Sequence, residues 1–110
     1  MIGIYKITNL TNGKSYIGQS IHIERRWIEH CLPSADSAIA KAIQKYGKEQ
    51  FSFQVIEECS KEQLNEKEEY YISYYNTVVP NGYNIMDWVD GNSVYYRIDK
   101  EILQNIYNDI

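Results

Sequence analysis

Arg26 and His30 stand four residues apart on a stretch whose apolar stripe runs through Ile23, Trp27 and Cys31. At helical spacing both therefore project from one face, toward a core. Glu68 breaks a second stripe in the same way, four residues after Leu64 and on the face of Tyr71, Ile72 and Tyr75. An inward guanidinium, imidazole and carboxylate are suited to binding an anion, moving a proton and holding a cation. They also suit a purely structural core. An unpaired inward carboxylate is costly, so an Arg26–Glu68 salt bridge satisfies the same pattern, and a lone histidine is ordinarily a satisfied core residue. The neighbours Glu24, Arg25, Glu29, Glu66 and Glu69 lie off both stripes, which makes Arg25 a solvated surface charge.

Two tyrosines join this set from a different periodicity. Gly3, Tyr5 and Ile7 share one face of a first strand, and Tyr16 and Gly18 share one face of a second. Tyr5 and Tyr16 can thus meet on one side of a sheet, where a plain aromatic cross-strand pair is worth under about 1 kcal/mol. Gly3 and Gly18, small residues inside strands, mark places where something approaches the backbone closely.

The elements that must position these groups follow in order. A strand over 2–8, a turn at Asn12-Gly13 and a strand over 15–19 make a β-hairpin. Residues 21–31 read as a helix stopped by Pro33, and 37–46 as a second helix stopped by Gly47. Alternating Phe51, Phe53 and Val55 read as a strand. Ser60-x-x-Gln63 is a capping box that opens a long helix reaching Tyr75, and Pro80-Asn81-Gly82 is a turn. After Ile85 the pattern weakens: 94–98 reads as a short strand, and Asp99 caps a final helix with Ile102, Leu103, Ile106 and Ile110. The order β-β-α-α-β-α gives an α+β fold, a small, mainly antiparallel three-stranded sheet flanked by helices. Residues 1–85 form that domain, and 86–110 form a C-terminal extension packed on it and ending in a helix.

Composition bounds the function classes. One domain accounts for 110 residues, 44% of them hydrophobic and 11 of them Tyr. Tyrosines bury a ring while keeping a polar tip, which suits core margins and grooves. No stretch has the apolar length of a membrane span or the form of a signal peptide. Cys31 and Cys59 are isolated and read as reduced thiols in a cytoplasmic protein. The formal net charge of −4 argues against a high-affinity nucleic-acid coat. Residues 1–30, however, carry Lys6, Lys14, Arg25 and Arg26 against Glu24 and Glu29, a local net of +2. That excess suits a grip on one or two phosphates.

Gly3-Ile4-Tyr5 and, ten residues on, Tyr16-Ile17-Gly18 are the tripeptide pair for which the GIY-YIG endonucleases are named. Four later segments resemble that family in order: Arg26-Trp27-x-x-His30; Ala42 to Gly47 with Phe51 and Phe53; Glu68 with Tyr70-Tyr71-Ile72; and Gly82-Tyr83-Asn84-Ile85. The pattern is similar to phage and mobile-intron, homing-type members and spans residues 2–85. The segment 31–36 lacks the second histidine of some homing-type members, with Asp36 nearest its place.

The resemblance implies a metal-dependent endonuclease that hydrolyses DNA phosphodiester bonds in a bacterial or phage-infected cytoplasm. It makes Tyr5, Tyr16, Arg26, His30 and Glu68 the catalytic set, with Glu68 holding Mg²⁺ or Mn²⁺. Lys14 and Arg26 would meet the DNA backbone, and Gly3, Gly18 and Asn84 would support the site. In the mechanism it implies, Arg26 clamps a phosphate oxygen, and Tyr5 deprotonates a water that His30 and Tyr16 help to order. A free phenol is phenolate only about once in a thousand molecules at pH 7. Tyr5 therefore needs positive charge nearby from Arg26, the metal or Lys14; without it, His30 is the better base. Three alternatives remain beside this reading: a non-cleaving DNA- or protein-binding module, the catalytic fragment of a longer two-domain endonuclease, and a structural domain with a salt-bridged core.

Overall fold

The computed structural model describes residues 1–89 and 92–95. The hairpin strands β1 (Gly3–Asn9) and β2 (Ser15–Ser20) pair antiparallel around a turn in which Gly13 takes φ 78°. The helices α1 (Ile23–His30) and α2 (Ala38–Tyr46) follow, then the strand β3 (Phe51–Glu58) and the helix α3 (Leu64–Tyr75). β3 returns to pair antiparallel with β1, so the sheet order is β2-β1-β3. This is the mixed, three-stranded antiparallel architecture that the sequence predicts.

Strand alternation divides the core into two. Tyr5, Ile7, Tyr16 and Phe51 face α1 and α2, where Ile23, Ile39, Ala42 and Ile43 complete one cluster. Ile4 and Ile17 point the other way and pack with Leu64 and Ile72 of α3. Each apolar residue repeats with the period of its own element, and the sheet is sandwiched because both of its faces carry an apolar row. Ser37 caps α2 by accepting a hydrogen bond from the Ala40 amide at 3.2 Å. The helix stops where Gly47 takes φ 95°. The expected capping box at Ser60 and Gln63 is present, but it opens a short 3-10 turn over 61–63, and α3 proper begins at Leu64. Cys31 and Cys59 are free and half-buried, and burial pushes both thiols up.

Two features depart from the sequence expectations. A second antiparallel pair, β4 (Met86–Val89) and β5 (Asn92–Tyr95), stands where the pattern weakens. The expected strand over 94–98 overlaps β5 only at its start. The missed signal is the Asp90-Gly91 dipeptide between the two strands, a pairing favoured in hairpin turns. Residues 96–98 and the expected helix after Asp99 lie outside the described residues. Tyr75, expected on the inward stripe of α3, is 38% exposed instead, with the Lys6 ammonium 4.2 Å from its ring centroid.

The edge strand β2 is closed by the segment after α3. Asn84 is fully buried. Its Oδ1 accepts from the Ile17 amide at 2.8 Å and its Nδ2 donates to the Ile17 carbonyl at 2.8 Å. Thr77 Oγ1 donates to the same Oδ1 at 2.6 Å, and the Tyr83 amide donates to the Ser15 carbonyl at 2.9 Å. A side-chain amide thus takes the place of a further strand. Replacing Asn84 with Ala leaves both Ile17 backbone groups unsatisfied. Asn84→Ala is expected to lower the unfolding free energy by about 2–5 kcal/mol in a urea titration. A loss below about 1 kcal/mol would mean that water substitutes for the amide.

Candidate active site

The hairpin and α1 bring four of the five expected catalytic side chains to one face of the sheet. Tyr5 is fully buried, Tyr16 is 4% exposed and His30 is 3% exposed. The Tyr5 hydroxyl and His30 Nε2 share a hydrogen bond of 2.8 Å. The Tyr5 and Tyr16 ring centroids lie 6.3 Å apart, and His30 meets the Tyr16 ring edge-on at 5.5 Å. Phe53 of β3 packs against Tyr5 at 5.3 Å and is itself stacked on Trp27 of α1 at 4.9 Å.

Gly18 explains how the Tyr5 ring reaches this place. Tyr5 lies opposite Gly18 across the hairpin, and a Cβ on residue 18 would collide with the far end of its ring. Gly3 answers a different approach. A side chain there would strike the Glu57 carbonyl of β3, next to the register shift between Ile4 and Tyr5. Both strand glycines thus admit protein rather than a bound ligand.

Arg26 emerges from α1 beside the phenols, its side chain 27% exposed, whereas the Arg25 side chain is 74% exposed. The helix phase read from the sequence therefore separates the two adjacent arginines as expected. Burial pulls the Arg26 pKa down, but Tyr5, Tyr16 and Glu29 together hold it above its ordinary value, so the guanidinium stays charged. Glu29 is the residue that sequence reasoning missed. It pairs with Arg26 at 3.2 Å and with Arg25 at 3.5 Å. It lies off the apolar stripe, and its i+3 spacing from Arg26 is the signal that marks it. Arg26, Glu29 and His30 line an open pocket of about 250 Å³ with Leu32, Ser34, Ala35 and Ser37. This pocket leads from solvent to the otherwise buried group.

Glu68 is fully buried on α3, on the opposite side of the sheet from α1 and α2. Gln19 Nε2 donates to its Oε1 at 3.0 Å. It lies close enough to Tyr16 to act on it electrostatically. Burial, then the Glu68 charge, drives the Tyr16 pKa well above the usual phenol value, against opposing effects from Arg26 and Tyr5. Tyr16 is therefore a neutral phenol at physiological pH. Among the described residues no three His, Cys, Asp or Glu side chains cluster as a metal cage. Gln19 turns its N–H toward the carboxylate, so the hard donors here are the oxygens of Glu68 and the nearby Tyr16 hydroxyl. They fit a hard divalent cation held by one carboxylate, with water and substrate oxygens as its remaining ligands. Lys14 stands at the end of the hairpin turn, two residues before Tyr16, and is half-buried. Asn84 sits behind β2 as a backbone clamp, away from the open pocket.

The chain and its fold have known counterparts. Residues 1–84 match the family described as the GIY-YIG catalytic domain. Intron-associated endonuclease 1 of Enterobacteria phage T4 is 32% identical over 100 residues, which cover 83% of this chain and 39% of that protein. The chain thus spans about two fifths of that relative. The solved structure of the catalytic domain of homing endonuclease I-TevI superposes with a TM-score of 0.68 at 33% identity, covering 79% of this chain and all of that one. A glutamate-to-alanine mutant of the I-TevI catalytic domain gives a TM-score of 0.64 at 31% identity, covering 80% and 96% of the two chains. With the hairpin phenols, the α1 arginine and histidine and the α3 carboxylate in these places, the chain belongs to the GIY-YIG catalytic-domain family.

Proposed function

We propose that this chain is a metal-dependent endonuclease that hydrolyses DNA phosphodiester bonds. The observation that carries the reading is the buried Tyr5–His30 pair beside Arg26, coupled through Tyr16 to the buried Glu68. These residues lie within the stretch 1–84 that matches the GIY-YIG catalytic domain. The 39% coverage of the phage relative favours a second reading, in which the domain supplies cleavage to a longer two-domain endonuclease. Its place of action is the cytoplasm of a bacterial or phage-infected cell.

In this proposal a DNA phosphate enters the pocket beside α1 and takes over Arg26 from Glu29. Arg26 neutralises the charge that develops on the non-bridging oxygens as a water attacks phosphorus. The water's proton passes to the Tyr5–His30 unit. Arg26 beside Tyr5 supplies the positive charge that a phenolate needs, while His30, which lines the pocket, gives the proton a route to solvent. Tyr16, kept neutral, donates a hydrogen bond and orders the water without acting as a base. Glu68 would hold Mg²⁺ or Mn²⁺, which when bound supplies Lewis acidity to the departing 3′ oxygen. Lys14 would add a backbone phosphate contact.

Two measurements test the reading. Glu68→Ala is expected to abolish Mg²⁺- or Mn²⁺-dependent cleavage of supercoiled, linear or single-stranded DNA while the circular dichroism spectrum persists. Arg26→Ala is expected to slow cleavage about 100-fold or more, the scale of a lost transition-state donor, and Arg25→Ala to leave it within a few-fold. A Glu68→Ala protein that cuts normally, or equal losses at positions 25 and 26, would sink the assignment; no cleavage by the native chain on any of these DNAs would leave a binding module.

The charge distribution sets a further expectation. The basic excess of residues 1–30 permits only about three phosphate contacts, so log K should fall against log salt with a slope near −3. Binding of the non-cleaving Glu68→Ala protein across a salt series reads this directly. A slope of repressor size, about −10, would require a second DNA surface.

A further inference from the structure

Gln19 lies next to the end of β2, opposite Ile4 in the hairpin register. Alternation turns it to the α3 side together with Ile17. Its Nε2 donates to Asn65 Oδ1 at 3.1 Å and to Glu68 Oε1 at 3.0 Å. Asn65 and Glu68 are three residues apart and share one face of α3, so a single amide group bridges two positions one helical turn apart. Both N–H bonds of that amide are thereby directed at the helix.

The chemical type of this contact matters. A buried carboxylate needs donors, and a lysine or arginine would satisfy it while cancelling its charge. Glu57 shows that arrangement in the same molecule. Lys67 stands 2.8 Å from its Oε2 and the Tyr71 hydroxyl donates to its Oε1 at 2.7 Å. These contacts hold the Glu57 carboxyl below its usual range. Gln19 offers Glu68 a neutral donor, which fixes one oxygen. A long acidic side chain also loses up to about 2 kcal/mol of rotamer entropy on ordering, and the clasp meets that cost before any cation arrives.

We propose that Gln19 is a positioning residue. It presents the Glu68 carboxylate, pre-ordered, to the divalent cation, and so sets the cation affinity of the site. The inference rests on the reading of Glu68 as the cation's ligand.

The test is Mn²⁺ binding to the whole chain without DNA, followed by electron paramagnetic resonance, with thermal unfolding of the metal-free proteins alongside. Glu68→Ala is expected to lose the site. Gln19→Leu is expected to weaken Mn²⁺ binding about 10-fold or more, the usual consequence of removing a partner that orients a metal ligand. Asn65→Ala, which removes only the outer anchor, should cost less than Gln19→Leu. If Gln19→Leu fails to fold, Gln19→Asn replaces it, since the shorter amide cannot reach Glu68 and should show the same loss. Wild-type affinity in a folded Gln19 variant, with none in Glu68→Ala, would overturn the positioning role, whether or not the melting temperature fell. Wild-type affinity in Glu68→Ala would overturn the cation site itself.

Discussion

The side-chain amide of Asn84 holding both backbone groups of Ile17 is the contact on which the rest of the site depends. β2 is an edge strand, and three of the groups that matter, Tyr16, Gly18 and Gln19, lie on it. An edge strand left with unpaired backbone groups frays or recruits another strand. The 77–84 segment closes it without adding a strand, and the buried Thr77 hydroxyl fixes the amide that does so. With β2 held, its register against β1 sets Gly18 opposite Tyr5, and the ring of Tyr5 can lie across the hairpin to reach His30.

The electrostatics of the site follow from where each group is anchored. Arg26 comes from α1 and Glu68 from α3, on opposite sides of the sheet, and each bears on Tyr16 with opposite sign. Burial, reinforced by Glu68, outweighs Arg26, so this phenol keeps its proton. Tyr5 is differently placed, because it shares a hydrogen bond with an imidazole that lines the pocket. Two tyrosines that look equivalent in the sequence are thus divided by their neighbours into a phenol held neutral and one hydrogen-bonded to an imidazole. Glu29 completes the arrangement by acting as counter-anion to Arg26, and an incoming phosphate offers the same guanidinium two oxygens in a comparable geometry.

The candidate site residues were legible because they violate simple periodicities. A helix stripe interrupted by Arg26, His30 or Glu68 is visible from spacing alone, and strand alternation put Tyr5 and Tyr16 on one face. The strands β1, β2 and β3 and the helices α1, α2 and α3 followed from the same periods with capping and stop residues. What escaped violates no period. Gln19 is a polar residue near the end of an edge strand, where polar residues are ordinary, and its partners lie 46 and 49 residues away in the chain. Asn84 lies in a loop with no period to break; only the family resemblance singled it out, and its backbone-clamping role required coordinates. Tyr75 followed its helical phase but not its burial, because α3 packs chiefly over β2 and its last turn runs past the sheet's apolar row. The β4–β5 pair was hidden because four-residue strands give periodicity too little length to register.

The charge distribution of the fold bears on the proposed DNA substrate of an acidic domain. Residues 21–50, which form the α1 and α2 layer, carry Arg25, Arg26, Lys41, Lys45 and Lys48 against Glu24, Glu29, Asp36 and Glu49. Residues 57–69 carry six glutamates against Lys61 and Lys67. The sheet separates these layers, so the negative charge is concentrated on the α3 side while the pocket opens on the other. At physiological salt the screening length is about 8 Å, shorter than the distance through a sheet with a helix packed on it. A phosphate at the pocket therefore responds to Arg26 and its neighbours more than to the overall charge. Glu68 is the exception, because it is buried beside β2, where solvent does not screen it. Its charge is felt at the site, and a bound divalent cation would turn that local repulsion into attraction.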